Sequence, residues 1–249
     1  MMEVHCWSVR LDVPSETLDS LAATLSPDER KRSARLRFER DRHRFIVARG
    51  VLRELLGRYL GILPGQVRFA YNAFGKPELS LEFGSSLRFN LSHSADLALI
   101  GITRDARIGV DLEYIRPQPE YLEIARSFFS ATEVDELNGL PSPLQPEAFL
   151  NCWTRKEAYV KALGMGLAIP ATDRAESWSI YNLQPAPGYV GALAIEETGA
   201  SWGFGLYSGS WGSTQLSVSP PPTVPLHYLS SPAPAQAKPT LSPIVSRIS

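Results

Sequence analysis

Asp111 and Glu113 stand two residues apart in the run Gly109-Val110-Asp111-Leu112-Glu113. On a strand, residues i and i+2 point to the same face, so this spacing sets two carboxylates side by side, an arrangement that attracts a cation. Alone, an Asp-x-Glu pair fits a solvated strand end better than a metal site. A third acid shifts that balance. In 153–161, Trp-Thr-Arg-Lys-Glu-Ala-Tyr-Val-Lys, a helix places Trp153, Glu157 and Lys161 on one line at successive i, i+4 steps, with Lys156 beside them. The bland account of Glu157 and Lys161 is an ordinary ion pair on a solvated helix face, worth a few tenths of a kcal/mol. Three carboxylates with no His or Cys ligand nearby suit a hard ion such as Mg²⁺, which completes its octahedron with water and substrate phosphates. The metal reading therefore predicts a phosphate-bearing substrate. Phe89-Asn90-Leu91-Ser92-His93-Ser94 supplies hydroxyl and imidazole donors where a strand ends, although a lone His there is more often a turn residue. Phe74-Gly75-Lys76-Pro77 pairs a permissive glycine with a stiff proline around a lysine; alone it is only a turn.

The elements that must carry these residues follow from the hydrophobic pattern. Residues 6–13 alternate at Trp7, Val9, Leu11 and Val13, as in a strand with one buried face, and a helix follows over about 15–25. Ser26-Pro27-Asp28-Glu29 starts a basic helix through Glu-Arg-Lys-Arg-Ser-Ala-Arg-Leu-Arg-Phe. Another helix spans about 41–59, with Phe45, Ala48, Leu52, Leu55 and Leu56 as its apolar stripe, Arg44, Arg49 and Arg53 on its other sides, and Gly61 beyond its end. The runs 87–91, 97–103 and 108–114 form a meander. Residues 147–163 are helical and stop at Gly164-Met165-Gly166, and 190–195 and 202–207 add strands. The order predicts an α+β fold, with two related halves meeting near residue 105. Expected divisions are 1–104, 105–218 with the metal site, and a tail over 219–249. Eight of the last 31 residues are proline, so that tail is expected to be disordered or extended.

At 249 residues, 44% hydrophobic and 20% charged, the chain has material for a large core. A formal net charge of −1 gives no global attraction to nucleic acid or anionic membrane, so phosphate binding must be local. No apolar run reaches the ~18 residues that span a bilayer, and residues 1–16 lack a signal-peptide pattern, so a cytoplasmic protein is expected. Cys6 and Cys152 are too few for a disulfide framework and are expected to be reduced and structural.

The pieces at 75–77, 89–94, 109–113, 128–133 (Phe-Phe-Ser-Ala-Thr-Glu) and 153–161 occur in an order that resembles the phosphopantetheinyl transferases of the surfactin-synthetase-activating type, over roughly residues 5–215. The resemblance implies a pseudo-twofold monomer of two similar α/β subdomains. It implies transfer of the 4'-phosphopantetheine group of coenzyme A to a serine of an apo acyl or peptidyl carrier protein, leaving 3',5'-ADP. Asp111, Glu113 and Glu157 would hold Mg²⁺ against the pyrophosphate. Glu157 is the candidate base, with Glu113 its rival. Lys161 would stabilise charge on the departing phosphate with Lys156 nearby, Lys76 and Pro77 would meet the adenine end, and Ser92, His93 and Arg49 would contact phosphates. Where some relatives carry lysine for the 3'-phosphate, this chain has Glu29, followed by Arg30, Lys31 and Arg32. The basic segment from Arg30 to Arg37 fits a solvated helix as well as a ligand contact, and it could also steer an acidic carrier surface. Two alternatives are weighed beside this one. Another Mg²⁺-dependent nucleotidyl or phosphoryl transferase would bring a phosphate loop, and none is present. A non-catalytic coenzyme A or carrier-protein binding module would have lost an acid, whereas all three acids and Lys161 remain.

Overall fold

The computed structural model describes residues 2–116, 121–165, 178–196 and 202–208. The tail expected over 219–249 lies outside these residues.

Strand β1 (Met2–Arg10) leads into α1 (Ser15–Thr24), α2 (Pro27–Ala34) and α3 (Glu39–Leu60). Helix α2 opens on a capping box: Ser26 accepts from the Glu29 N–H, and the Glu29 carboxylate accepts from the Ser26 N–H. It is shorter than the basic run suggests. The chain turns after Ala34, with Leu36 N–H bonding back to Ser33 O, and re-enters helix at Glu39. Helix α3 ends at Gly61, whose φ of 68° is the left-handed cap that glycine adopts without a Cβ clash.

The short hairpin β2 (Phe69–Tyr71) and β3 (Pro77–Leu79) precedes β4 (Leu87–Ser94), β5 (Leu97–Arg104) and β6 (Ile108–Tyr114). Helices α4 (Tyr121–Phe128), α5 (Ala131–Gly139) and α6 (Gln145–Leu163) follow, then β7 (Trp178–Leu183), β8 (Tyr189–Glu196) and β9 (Trp202–Ser208). One sheet has the order β4-β5-β1-β9, with β1 antiparallel to β5 and parallel to β9. A second sheet has the order β6-β8-β7, antiparallel throughout. The expected meander is therefore half right: β4 and β5 form a hairpin, but β6 leaves for the second sheet after Asp105, which adopts a left-handed φ of 62°.

Alternation along β5 explains the layering. Ala98, Ile100 and Ile102 face α1 and α3, packing with Leu21, Val47, Leu52, Leu55 and Leu56. Leu97 and Leu99 face the other way, against Ile108, Val110, Leu112, Leu193 and Ile195 of the second sheet. Strand β8 does the same in reverse, turning Leu193 and Ile195 to the first sheet and the small Ala192 and Ala194 to α6. A strand buried on both faces has no polar side to expose, which is why β5 is an almost continuous apolar run. The layers thus run helix, sheet, sheet, helix, a mixed α+β architecture. Cys6 and Cys152 are free and buried, and burial pushes both thiols up, Cys152 to about 12. Among the described residues no helix is long and apolar enough to cross a membrane.

Candidate active site where the two sheets meet

The edge strands β4 and β6 belong to different sheets and are joined by side chains. Asn90, Ser92 and Ser94 alternate along β4 and so point the same way. Asn90 Oδ1 accepts from Val110 N–H at 2.9 Å, Ser92 Oγ donates to Asp111 Oδ1 at 2.9 Å, and Ser94 Oγ donates to Glu113 Oε2 at 2.9 Å. Ser94 Oγ also accepts from Tyr114 N–H at 3.1 Å. The two-residue period of Asn-x-Ser-x-Ser matches that of Asp-x-Glu, so the ladder seats both acids at the seam.

Helix α6 closes the site from above, and Gly109 lets it come close. A Cβ built at Gly109 would lie 2.0 Å from Ala158 O and 2.4 Å from Ala162 N, so only glycine fits. At the far end of α6, Lys76 Nζ donates to Ala162 O at 3.1 Å and to Ile108 O at 3.2 Å, and Asn72 Nδ2 donates to Gly164 O at 2.9 Å. The β2–β3 turn carrying Gly75, Lys76 and Pro77 therefore ties the helix end to the start of β6. Burial lowers the Lys76 ammonium to about 8, with Arg88 and Arg107 adding to the shift and Glu78 opposing it.

With α6 placed this way, Lys161 Nζ reaches Asp111 Oδ1 at 2.5 Å and Ser92 Oγ at 3.0 Å. Asp111 is 3% exposed, and its Oδ2 is buried without a hydrogen-bond partner. Burial, with repulsion from Asp111, pushes Glu113 up to about 8 and Glu157 to about 7. Burial acts to lower Lys161, but Asp111, Glu157 and Glu113 outweigh it and leave the ammonium above its ordinary value. His93 is lowered by burial and then by the positive charges of Lys161 and Arg44. Asp111, Glu113, Glu157, Lys161, Ser92 and His93 thus share one electrostatic neighbourhood. Among the described residues no group of three or more His, Cys, Asp or Glu side chains is arranged to hold a metal ion.

Two of the expected phosphate contacts are engaged elsewhere. Arg49 Nε donates to Glu29 Oε1 at 3.0 Å, its Nη2 donates to Tyr71 Oη at 2.8 Å, and its guanidinium lies over Phe69. Arg53, 1% exposed, donates to Glu29 Oε2 at 2.6 Å and to Pro64 O and Val67 O. Glu29 is therefore the anion at the centre of a buried cluster. Lys156 Nζ turns to Glu133 Oε2 at 3.0 Å and away from the acids on β6. Sequence reasoning gave no role to Asn90 or Glu133. The strand period could have found the first, and the Ser130-x-x-Glu133 capping pattern points to the second.

Comparison with known proteins identifies the family. A family model described as the 4'-phosphopantetheinyl transferase superfamily matches residues 107–217, and one described as 4'-phosphopantetheinyl transferase, N-terminal, matches residues 13–103. The 4'-phosphopantetheinyl transferase HetI of Nostoc sp. is 42% identical over 214 residues, covering 80% of this chain and 90% of HetI. A putative 4'-phosphopantetheinyl transferase of Synechocystis sp. is 41% identical over 146 residues, 59% of each chain. The 4'-phosphopantetheinyl transferase Sfp of Bacillus subtilis is 28% identical over 166 residues, 66% of this chain and 72% of Sfp. With both halves matched and HetI covered nearly end to end, the chain belongs to the 4'-phosphopantetheinyl transferase superfamily.

Proposed function

We propose that this protein transfers the 4'-phosphopantetheine group of coenzyme A to a serine of an apo acyl or peptidyl carrier protein, with Mg²⁺ as cofactor, acting as a cytoplasmic monomer. The observation that carries this reading is the buried Asp111 carboxylate, held by Lys161 and Ser92 on one oxygen and without a partner on the other. An orphaned buried carboxylate oxygen is costly, and two neighbouring acids that resist ionisation add to the local demand for positive charge. By donor type, Asp111, Glu113 and Glu157 suit Mg²⁺, a hard ion that prefers oxygen, although their side chains are not gathered around one point in the ion-free protein. Bound there, the ion supplies the charge neutralisation that a pyrophosphate needs.

The protein's own groups do the rest. The serine hydroxyl forms a bond to the β-phosphorus of coenzyme A, and the bond from that phosphorus to the oxygen of 3',5'-ADP breaks. The serine proton passes to Glu157, directly or through water, and Glu113 is the alternative acceptor. Lys161 stabilises the charge that develops on the departing phosphate. Ser92 and His93, near the end of strand β4, contact the phosphates, and the turn at Gly75, Lys76 and Pro77 receives the nucleotide end. Arg49 serves this end through Tyr71, which it holds. The two-half reading belongs here too: residues 1–104 and 105–218 would be subdomains related by a pseudo-twofold axis. Its support is that each half supplies one sheet edge, β4 or β6, to the seam. The boundary is not strict, since β9 pairs with β1 of the first half.

The test is the intact mass of several apo carrier proteins after incubation with this protein, coenzyme A and Mg²⁺, beside a chelator control. A chelator-sensitive gain of one phosphopantetheine on a carrier is expected. No gain on any carrier, from folded protein that binds coenzyme A, would overturn the reading.

A further inference from the structure

Lys156 precedes Glu157 in sequence but points to a different side of α6, because consecutive helical residues diverge by about 100°. Its ammonium lies 3.0 Å from Glu133 Oε2 and 5.4 Å from the centre of the Phe129 ring. Glu133 is 6% exposed, and its carboxylate gathers three donors from two helices. Ser130 N–H donates to Oε2 at 2.7 Å, completing the capping box of α5, and Cys152 Sγ donates to Oε1 at 3.2 Å. Cys152 and Lys156 are one helical turn apart on α6, so a single carboxylate grips that helix at two points. The grip lies on the turn that presents Glu157. Aromatic packing reinforces it: Trp153 stacks on Phe149 and meets Phe128 edge-on. The other flank of α6 rests on Gly109. Close contact there fixes how near the helix comes to β6, and directional bonds from Lys76, Asn72 and Lys161 hold only its C-terminal end. The hydrogen-bonded carboxylate on the opposite flank is directional and holds the turn that presents Glu157.

We infer that Glu133, acting through Lys156, is a positioning residue that sets the rotation of α6 so that Glu157 and Lys161 face Asp111. The inference rests on the proposed transfer reaction for its kinetic consequence, though not for its structural one. It also changes the account of Lys156, which serves the site by holding the helix and not by touching coenzyme A.

The experiment compares Glu133→Gln, Lys156→Met, the double variant and Lys156→Arg in the full-length protein. Steady-state kcat, the KM values for coenzyme A and carrier, the thermal midpoint, and amide hydrogen exchange across 153–161 are measured for each. Misplacing a reacting group by an ångström costs up to about 100-fold. Each single variant should therefore lose about 10- to 100-fold in kcat, with KM for coenzyme A within about twofold of the wild type. The double variant should be no worse than the singles, Lys156→Arg should recover most of the rate, and exchange at 153–161 should quicken at temperatures where the variants stay folded. A rise in KM for coenzyme A in Lys156→Met alone would assign Lys156 to the ligand and overturn the inference. So would a rate loss that merely tracks the unfolded fraction. If the wild type modifies no carrier, the proposed function fails, and the exchange measurement still decides this point: unchanged protection in Glu133→Gln would overturn it.

Discussion

Glu113 and Glu157 sit in a place that charges them reluctantly, and this has a thermodynamic consequence. Burial first, and Asp111 second, raise them from 4.5 to about 8 and about 7. Between pH 4.5 and about 8 the folded protein therefore holds protons that the unfolded chain has released, so these two groups make stability fall as pH rises through that window. Without divalent cation, the thermal midpoint should be lower at pH 8.5 than the remaining titrations alone would give. Mg²⁺, competing with those protons, should raise it more at pH 8.5 than at pH 5.5. Melts at both pH values with and without Mg²⁺ read this directly; a Mg²⁺ shift that is equal at the two would separate the raised carboxylates from the metal. Asp111→Ala should cost turnover about 100-fold or more while the far-ultraviolet circular dichroism stays that of the wild type. Full activity in that variant would remove the metal assignment.

At the scale of elements, two contacts decide where α6 and α3 lie. Gly109→Ala forces a methyl group into the backbone of α6 and should destabilise by about 2–3 kcal/mol, a fall in Tm of roughly 5–10 °C. Glu29→Ala strands Arg49 and Arg53 without their counter-charge, at a cost of about 3–5 kcal/mol, measurable by denaturant unfolding. A cost below 1 kcal/mol would mean that water reaches the cluster. These two cases also separate what the sequence discloses from what it hides. The Gly109–Glu113 strand and the α6 line of Trp153, Glu157 and Lys161 were legible because their spacings match the strand and helix periods. Glu29 stood out only as part of a helix start and as a departure from relatives that carry lysine, and its burial depends on arginines 20 and 24 residues away that no local pattern announces. The pairing of Lys156 was hidden for the same reason, since its partner Glu133 comes from another helix. Strand β7 escaped notice because Trp178-Ser179-Ile180-Tyr181-Asn182-Leu183 is short and its alternation breaks at the adjacent Ile180 and Tyr181. The departure of β6 from the meander turns on one backbone angle at Asp105, and an aspartate in a loop does not foretell it.

For the whole molecule, the seam between β4 and β6 is both the candidate site and a structural joint. The turn after β4 adds to it: Arg44 pairs with Asp96 at 2.6 Å, Asp96 N–H donates to Tyr189 Oη at 3.2 Å, and Tyr189 packs against Tyr114. Asn90→Ala should expose how far the two sheets depend on each other, because it leaves Val110 N–H buried and unpaired, a cost of about 1–3 kcal/mol. Calorimetry should still show one transition at lower temperature; two resolved transitions would mean that the sheets unfold separately. The pairing of β1 with β9 has a consequence of a different kind, in time. On the ribosome β1 is complete at Arg10, while the strand that covers its outer edge begins only at Trp202. At synthesis rates of about 5–20 residues per second, that edge waits roughly 10–40 s for its neighbour. Throughout that wait the nascent chain offers an open strand edge to any passing polypeptide, so the last of the described strands to be synthesised is also the one that ends its exposure to misassembly.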